Sequence, residues 1–148
     1  MKIGFTNGCF DLFHEGHVHM LTECLNRCDY LIVAVNSDDW IKRHKGQNRP
    51  RDGLQTRMLN VAVYAHSVIP FEGNKEGLIM AIRPDIVFKG YDHGKDGATS
   101  MAIRKPGWKD CPLHEQWDMI QVAHIPHLPG FSTSESIHAT QRNAQPRP

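Results

Sequence analysis

The chain has 148 residues, enough for one compact domain with a real core and too few for two ordinary ones. An apolar share of 40% and a charged share of 22% describe a soluble globular protein, and no apolar run reaches membrane-spanning length. A formal net charge of +1 gives no general attraction for nucleic acid or membrane.

Met1 leads directly into the strand-like Lys2–Thr6, without the charged segment and long apolar stretch of a signal peptide, so a cytoplasmic location is expected. His17–Cys28 is expected to be a helix, because Val18, Leu21, Leu25 and Cys28 recur at helical spacing. The apolar run Tyr30–Val35 is expected to be a strand covered on both faces, as in a parallel sheet. Gln55–Ala65 reads as a second helix, Ser67–Pro70 as a short strand and Lys75–Ile82 as a third helix. Pro84-Asp85 ends that helix before the strand Ile86–Phe88; Met119–His124 reads as a last strand and Ser134–Thr140 as a closing helix. The alternation of strand and helix predicts a single doubly wound, Rossmann-like α/β domain with a parallel sheet over residues 1–140, whose ligands bind outside the carboxyl ends of the strands. Residues 94–117 read as a long loop or lid, and the polar tail 141–148 as disordered. The four cysteines, Cys9, Cys24, Cys28 and Cys111, form no CxxC pair and are expected to be buried free thiols.

The strongest chemical signal follows the first strand, in the run from Asn7-Gly8-Cys9-Phe10-Asp11 to His14-Glu15-Gly16-His17. Gly8 lets the backbone turn with its amides open to an anion, and Gly16 clears space where the loop enters the helix. Two histidines then stand at a helix N-terminus, where amide groups, the helix dipole and imidazole donors converge on negative charge, a setting suited to a polyphosphate. A zinc site is the competing reading, since His14, His17 and His19 crowd six positions. The spacing disfavours it: the pattern is not HExxH, His14 precedes the helix, and no cysteine pair completes a tetrahedral set. Six of the chain's 17 lysines and arginines lie between Lys42 and Arg57 (Lys42, Arg43, Lys45, Arg49, Arg51, Arg57), in what reads as a basic loop able to close over phosphates or simply a solvated charged loop.

Gly8-Cys9-Phe10-Asp11 with His14-Glu15-Gly16-His17 resembles the GxFDxxHxGH signature of cytidylyltransferase-like nucleotidyltransferases. Asn36-Ser37-Asp38, Lys42 through Gly46, Arg49-Pro50 and Arg57 resemble the segment after the second strand in bacterial heptose 1-phosphate adenylyltransferases and, more loosely, glycerol 3-phosphate cytidylyltransferases. Arg83 through Asp92 resembles their PDxxxKGxD stretch, and Phe131-Ser132-Thr133-Ser134 their terminal ST(T/S) motif. The resemblance covers roughly residues 2–138. It implies that His14 and His17 contact the triphosphate and stabilise charge in the transition state, with Lys45 counted among the catalytic residues. It also implies nucleotide contacts from Gly8, Cys9, Phe10, Asp11, Lys42, Arg57, Lys89, Gly90, Asp92, Ser132, Thr133 and Ser134. Arg57 is expected to reach the nucleotide or the acceptor phosphate; Asp92 is equally able to cap the next segment, Ser132–Ser134 to cap a helix, and Asp11 to orient the loop, orient a histidine or reach Mg²⁺ through water.

The implied reaction transfers CMP or AMP from CTP or ATP to a small phosphorylated acceptor. The acceptor's phosphate oxygen is already an ionised nucleophile, so positioning and charge neutralisation matter more than a strong base. Mg²⁺ is the implied cofactor, bridging phosphate oxygens with no protein ligand assigned, and a homodimer is the implied assembly. The segment 94–116, with Lys105, Trp108 and Lys109, is longer than its counterparts, and His127 stands near a position that is arginine in the glycerol 3-phosphate enzymes. CTP and ATP both remain open. The rival readings are a noncatalytic nucleotide-sensing module and an adenylyltransferase acting on a pantetheine or nicotinamide precursor.

Overall fold

A computed structural model of the protein describes residues 1–90, 120–126 and 128–130. Five strands, β1 (Ile3–Gly8), β2 (Tyr30–Asn36), β3 (Ser67–Phe71), β4 (Ile86–Gly90) and β5 (Gln121–Ile125), form one sheet in the order β3-β2-β1-β4-β5. Every pairing is parallel. Four helices complete the described residues: α1 (Glu15–Leu25), α2 (Asp38–Lys45), α3 (Leu54–Ala62) and α4 (Lys75–Ile82). This is the doubly wound parallel arrangement the alternating pattern predicts.

The central strands are apolar along their length because each of their faces carries helices. One face holds Leu31, Val33, Val35, Ile86, Phe88 and Ile125 under Leu21 and Cys24 of α1 and Val61 of α3. The other holds Phe5, Ala34, Phe71 and Val87 under Ile79 of α4. Gly4 sits where β1, β4 and the chain after α1 come closest: a Cβ there would stand 2.6 Å from the Phe88 ring and 2.7 Å from Cys28 Sγ. Among the described residues, no helix is long and apolar enough to cross a membrane.

Strand order reverses between β1 and β4, and the ladders differ on the two sides of β1. Against β2 the pairing runs from Ile3↔Tyr30 to Gly8↔Val35. Against β4 it covers Gly4↔Ile86 and Phe5↔Val87, followed by a bond from the Thr6 hydroxyl to the Phe88 carbonyl at 3.1 Å. The carboxyl ends of β1 and β4 therefore have backbone groups not bound to each other, at the switch point where such sheets bind ligands.

The expected elements are present with shifted ends: β1, β2, β3 and β4 each run one or two residues further than read, and α1 starts at Glu15 and stops at Leu25. The basic loop is a correction. Lys42 and Lys45 belong to α2, whose N-cap Ser37 accepts a bond from the Trp40 amide at 3.1 Å. Asp38 and Asp39 in its first turn and four basic residues in its last suit the helix dipole at both ends. The closing helix at 134–140, the long segment 94–117 and the tail 141–148 lie outside the described residues.

Candidate active site

The loop from β1 to α1 is built around two non-glycine residues with left-handed backbone, Phe10 (φ 54°) and Leu12 (φ 47°). Such conformations persist only where surroundings over-determine them. Phe10 turns its ring into the core, and this is the local reason for Gly8: a Cβ there would lie 3.1 Å from that ring. Gly8 itself ends β1, so the turning is done by the residues after it, not by the glycine.

At the far end of the loop, the two histidines cap α1 reciprocally. His14, the N-cap, accepts at Nδ1 from the Gly16 amide at 3.1 Å, and His17 accepts at Nδ1 from the His14 amide at 3.2 Å. These bonds satisfy amides that a helix start otherwise leaves unpaired. A neutral imidazole that accepts at Nδ1 carries its proton on Nε2, so the caps also fix the tautomer. Both neutral rings are thereby Nε2–H donors. The rings stack with centroids 3.8 Å apart, and His17 also stacks against Phe13 at 5.3 Å and meets Phe10 edge-on at 5.4 Å.

Two buried charges hold this loop. Asp11 is wholly inaccessible and accepts from the Leu12, Arg51 and Asp52 amides and from Arg49 Nε at 3.2 Å. Burial pushes its carboxyl upward, but the Asp52 and Arg51 amides and the Arg49 guanidinium more than offset this and leave it below its ordinary range. Asp11 thus ties the loop to residues 49–52. Arg57 does the same from α3. Its guanidinium is fully buried and donates to the carbonyls of Asp52 (2.9 Å), Cys9 (2.7 Å) and Asn36 (2.7 Å) and to Asp38 Oδ1 (2.6 Å). The expected reach toward a phosphate is not what the structure gives Arg57; its donors join the ends of β1 and β2 to the start of α2 and to the chain before α3.

Lys42 and Lys45 are exposed on α2, and Lys45 lies close enough to hydrogen-bond the half-buried Cys9 thiol. Burial raises that thiol, opposed by Lys45, Arg57 and Arg49. Cys24, in the core, is pushed up to about 12 by burial; Cys9, Cys24 and Cys28 are free thiols. Lys89 and Gly90 end β4, on the other side of the switch point from Cys9 and Lys45. Asp92, Ser132, Thr133, Ser134, Lys105, Trp108, Lys109, His127 and Cys111 lie outside the described residues. Lys75, beside Lys89, is not among the residues the sequence singles out; Asn36, which the sequence places in the Asn36-Ser37-Asp38 segment, has its side-chain Nδ2 buried with no partner among the described residues. Asn36 was visible as a polar residue closing an apolar strand; Lys75 belonged to no motif.

The model of the family described as cytidylyltransferase-like matches residues 5–139, nearly the whole chain. The chain belongs to that family. It is accordingly a nucleotidyltransferase, and the loop with His14 and His17 carries the family signature on the observed helix start. Among curated proteins it is similar to the bifunctional protein HldE of Hydrogenovibrio crunogenus, 46% identical over 136 residues, and to that of Acidiphilium cryptum, 38% identical over 140 residues. The alignments cover 84% and 92% of this chain but 28% and 26% of those proteins, so the chain spans about a quarter of their length. Among solved structures it is similar to the lipopolysaccharide core biosynthesis protein of Thermoplasma volcanium, with a TM-score of 0.63 at 24% identity, covering 86% of this chain and 97% of that one. A pantothenate synthetase of Thermus thermophilus shares the fold, with a TM-score of 0.56 at 14% identity over 94% of this chain and 65% of that one.

Proposed function

We propose that this nucleotidyltransferase moves CMP or AMP from CTP or ATP onto a phosphorylated sugar or polyol, of the heptose 1-phosphate or glycerol 3-phosphate type, and releases pyrophosphate. The observation that carries the reading is the reciprocal cap, which presents two imidazoles as Nε2–H donors at the start of α1, beside the carboxyl end of β1. An acceptor phosphate oxygen attacks the α-phosphorus in line, the bond to the bridging oxygen breaks, and pyrophosphate leaves with the electron pair. No proton has to be removed from the nucleophile. His14 and His17 donate to phosphate oxygens whose charge grows during transfer, and the helix dipole acts in the same direction. Lys45 and Lys42 bring positive charge from α2.

The described residues offer Mg²⁺ no carboxylate of their own in this loop, because the Asp11 oxygens are taken up by backbone amides and Arg49. The phosphates and water are the ligands left for it, and when bound it would supply charge neutralisation. The motif segments Lys42 through Arg57 and Lys89-Gly90 support the sugar and polyol phosphate branch over pantetheine or nicotinamide precursors. The homodimer is part of the same proposal.

The test is pyrophosphate release from CTP or ATP with Mg²⁺ against a panel of sugar and polyol phosphates. Acceptor-dependent release is expected with one nucleotide. His17→Ala is expected to lower turnover by about 10²- to 10³-fold, the scale for removing a transition-state donor. Silence across the panel from folded protein that binds nucleotide would favour the sensing module, and release only with phosphopantetheine or nicotinamide mononucleotide would replace the proposed acceptor.

A further inference from the structure

The helix α2 is eight residues long and is anchored at its start. Ser37, its N-cap, donates its own amide to the Phe71 carbonyl at 2.9 Å, Asp38 is held by Arg57, and Ile41 is fully buried. From Lys42 onward the helix is exposed, and Gly46, its C-cap at φ 107°, has nothing within 4 Å of where a Cβ would stand. A helix this short is marginal by itself, so tertiary contacts decide where its last turn lies.

Trp40 supplies a contact that reaches from α2 to the chain between β3 and α4. The five-membered ring of the indole lies against Gly73, where a Cβ would stand 2.5 Å from Nε1 and 2.7 Å from Cδ1. Gly73 also has a left-handed backbone, with φ 101°, so glycine is required both for the turn and for the room it leaves the ring. On α2 itself, His44 stacks on the indole with centroids 4.0 Å apart and 15° between the planes, and its Nδ1 donates to the Trp40 carbonyl at 2.8 Å. The ring is thus held by the loop and by its own helix. Arg43 and Glu72 approach to 3.5 Å between the same two segments, but both are exposed, and such a pair contributes little.

Lys42 and Lys45 lie beyond Trp40, toward the end of α2. At a rise of about 1.5 Å per residue, Lys45 stands roughly 10 Å from the start of the helix, and a tilt of about 6° moves it by about 1 Å. A displacement of that size in a group that must meet a phosphate costs up to about 10²-fold in rate. We propose that Trp40, seated on Gly73, is a positioning residue for the transfer: it fixes the tilt of α2, and thereby the place of Lys42 and Lys45 against the triphosphate, without touching substrate itself. The inference rests on the proposed reaction only for the role of the two lysines.

The experiment measures kcat and KM for the nucleotide with the acceptor that the panel identifies, and the affinity for Mg²⁺-CTP and Mg²⁺-ATP by calorimetric titration, in proteins shown to be folded by their thermal transitions. Trp40→Ala is expected to lower kcat/KM by about 10- to 100-fold. Trp40→Phe keeps a ring between Gly73 and His44 and is expected to recover most of that loss. Gly73→Ala displaces the indole from outside α2; it is expected to reproduce the loss, and it replaces Trp40→Ala in the comparison if that variant does not fold. In a Lys42→Met/Lys45→Met background, Trp40→Ala is expected to cost less than about twofold further, because the groups it positions are gone. No loss in Trp40→Ala, a Trp40→Phe variant no better than Trp40→Ala, or a loss equally large without the two lysines overturns the inference. Where no acceptor turns over, the nucleotide affinity carries the same comparison. An affinity that depends on Trp40 without turnover would sink the proposed reaction alone, and turnover indifferent to Trp40 would sink this inference alone.

Discussion

The two sides of the switch point handle buried charge in opposite ways. On the β1 side, Asp11 and Arg57 are both fully inaccessible, yet each is surrounded by bonding partners, with three amides and a guanidinium on the carboxylate and three carbonyls and a carboxylate on the guanidinium. On the β4 side, Lys89 is nearly as buried and faces a second lysine. The first arrangement is satisfied by its own partners and fixes geometry; in the second, burial and the neighbouring Lys75 push Lys89 down to about 7. What a buried charge does in the fold is thus decided by its partners and not by burial alone.

The largest expected effect comes from breaking the frame at Arg57. Arg57→Met leaves three buried or part-buried carbonyls without their donor and unties Cys9, just after β1, and Asn36, at the end of β2, from the chain before α3. A loss of about 3 kcal/mol or more in the urea unfolding free energy is expected. Arg57→Lys is not expected to restore it, since one ammonium cannot reproduce the planar fork. A loss below about 1 kcal/mol in either variant would show that the frame does not depend on this side chain.

Asp11→Asn tests the same frame more gently, since the shape is kept and one acceptor oxygen becomes a donor facing amides and Arg49. A loss of about 2 kcal/mol at neutral pH is expected. The pH dependence has a definite sign. The folded carboxyl lies below its ordinary value of 3.8, so its contribution is complete above that value and fades as the pH falls through the lower folded one. Wild type and variant should therefore differ most in urea midpoint near neutrality and converge in acid. Equal differences at pH 7 and pH 3 would show that the ionised carboxylate is not what holds the loop.

This frame is also where sequence and structure part company. The alternation of strand and helix, and with it the parallel α/β class, follows from apolar runs alternating with helical spacing, and the histidine pair from a motif contained in one short stretch of chain. Asp11 and Arg57 were visible as motif residues, but their partners are not: Asp52 and Arg51 reach Asp11 through backbone amides, which any residue type carries, and Arg57 reaches Cys9 and Asn36 across long separations in the chain. Hydrogen bonds to main chain leave no side-chain signature. The helix at Asp38–Lys45 is a different kind of miss. Ser37, the acidic first turn and the basic last turn announce it, while the density of lysines and arginines suggests a phosphate-binding loop equally well. Lys75 and Lys89 are 14 positions apart, and their meeting depends on α4 returning to the carboxyl end of β4.

The smallest expected effect sharpens the comparison from the other side, since it is a gain in stability. A lysine held near 7 when folded, against an ordinary value of 10.5, binds fewer protons folded than unfolded between those values, so stability rises with pH across that window. Below it the penalty of burying the ammonium is constant and complete. Lys89→Met removes the penalty and keeps much of the side chain's apolar contact. Its thermal midpoint in phosphate-free buffer at pH 7 is expected to rise by about two to four degrees over wild type, the scale of 1 kcal/mol in a chain of this size, and the gain is expected to shrink toward pH 10. A variant less stable than wild type in phosphate-free buffer would place Lys89 with Asp11 and Arg57 as part of the frame, and the two sides of the switch point would then be built alike.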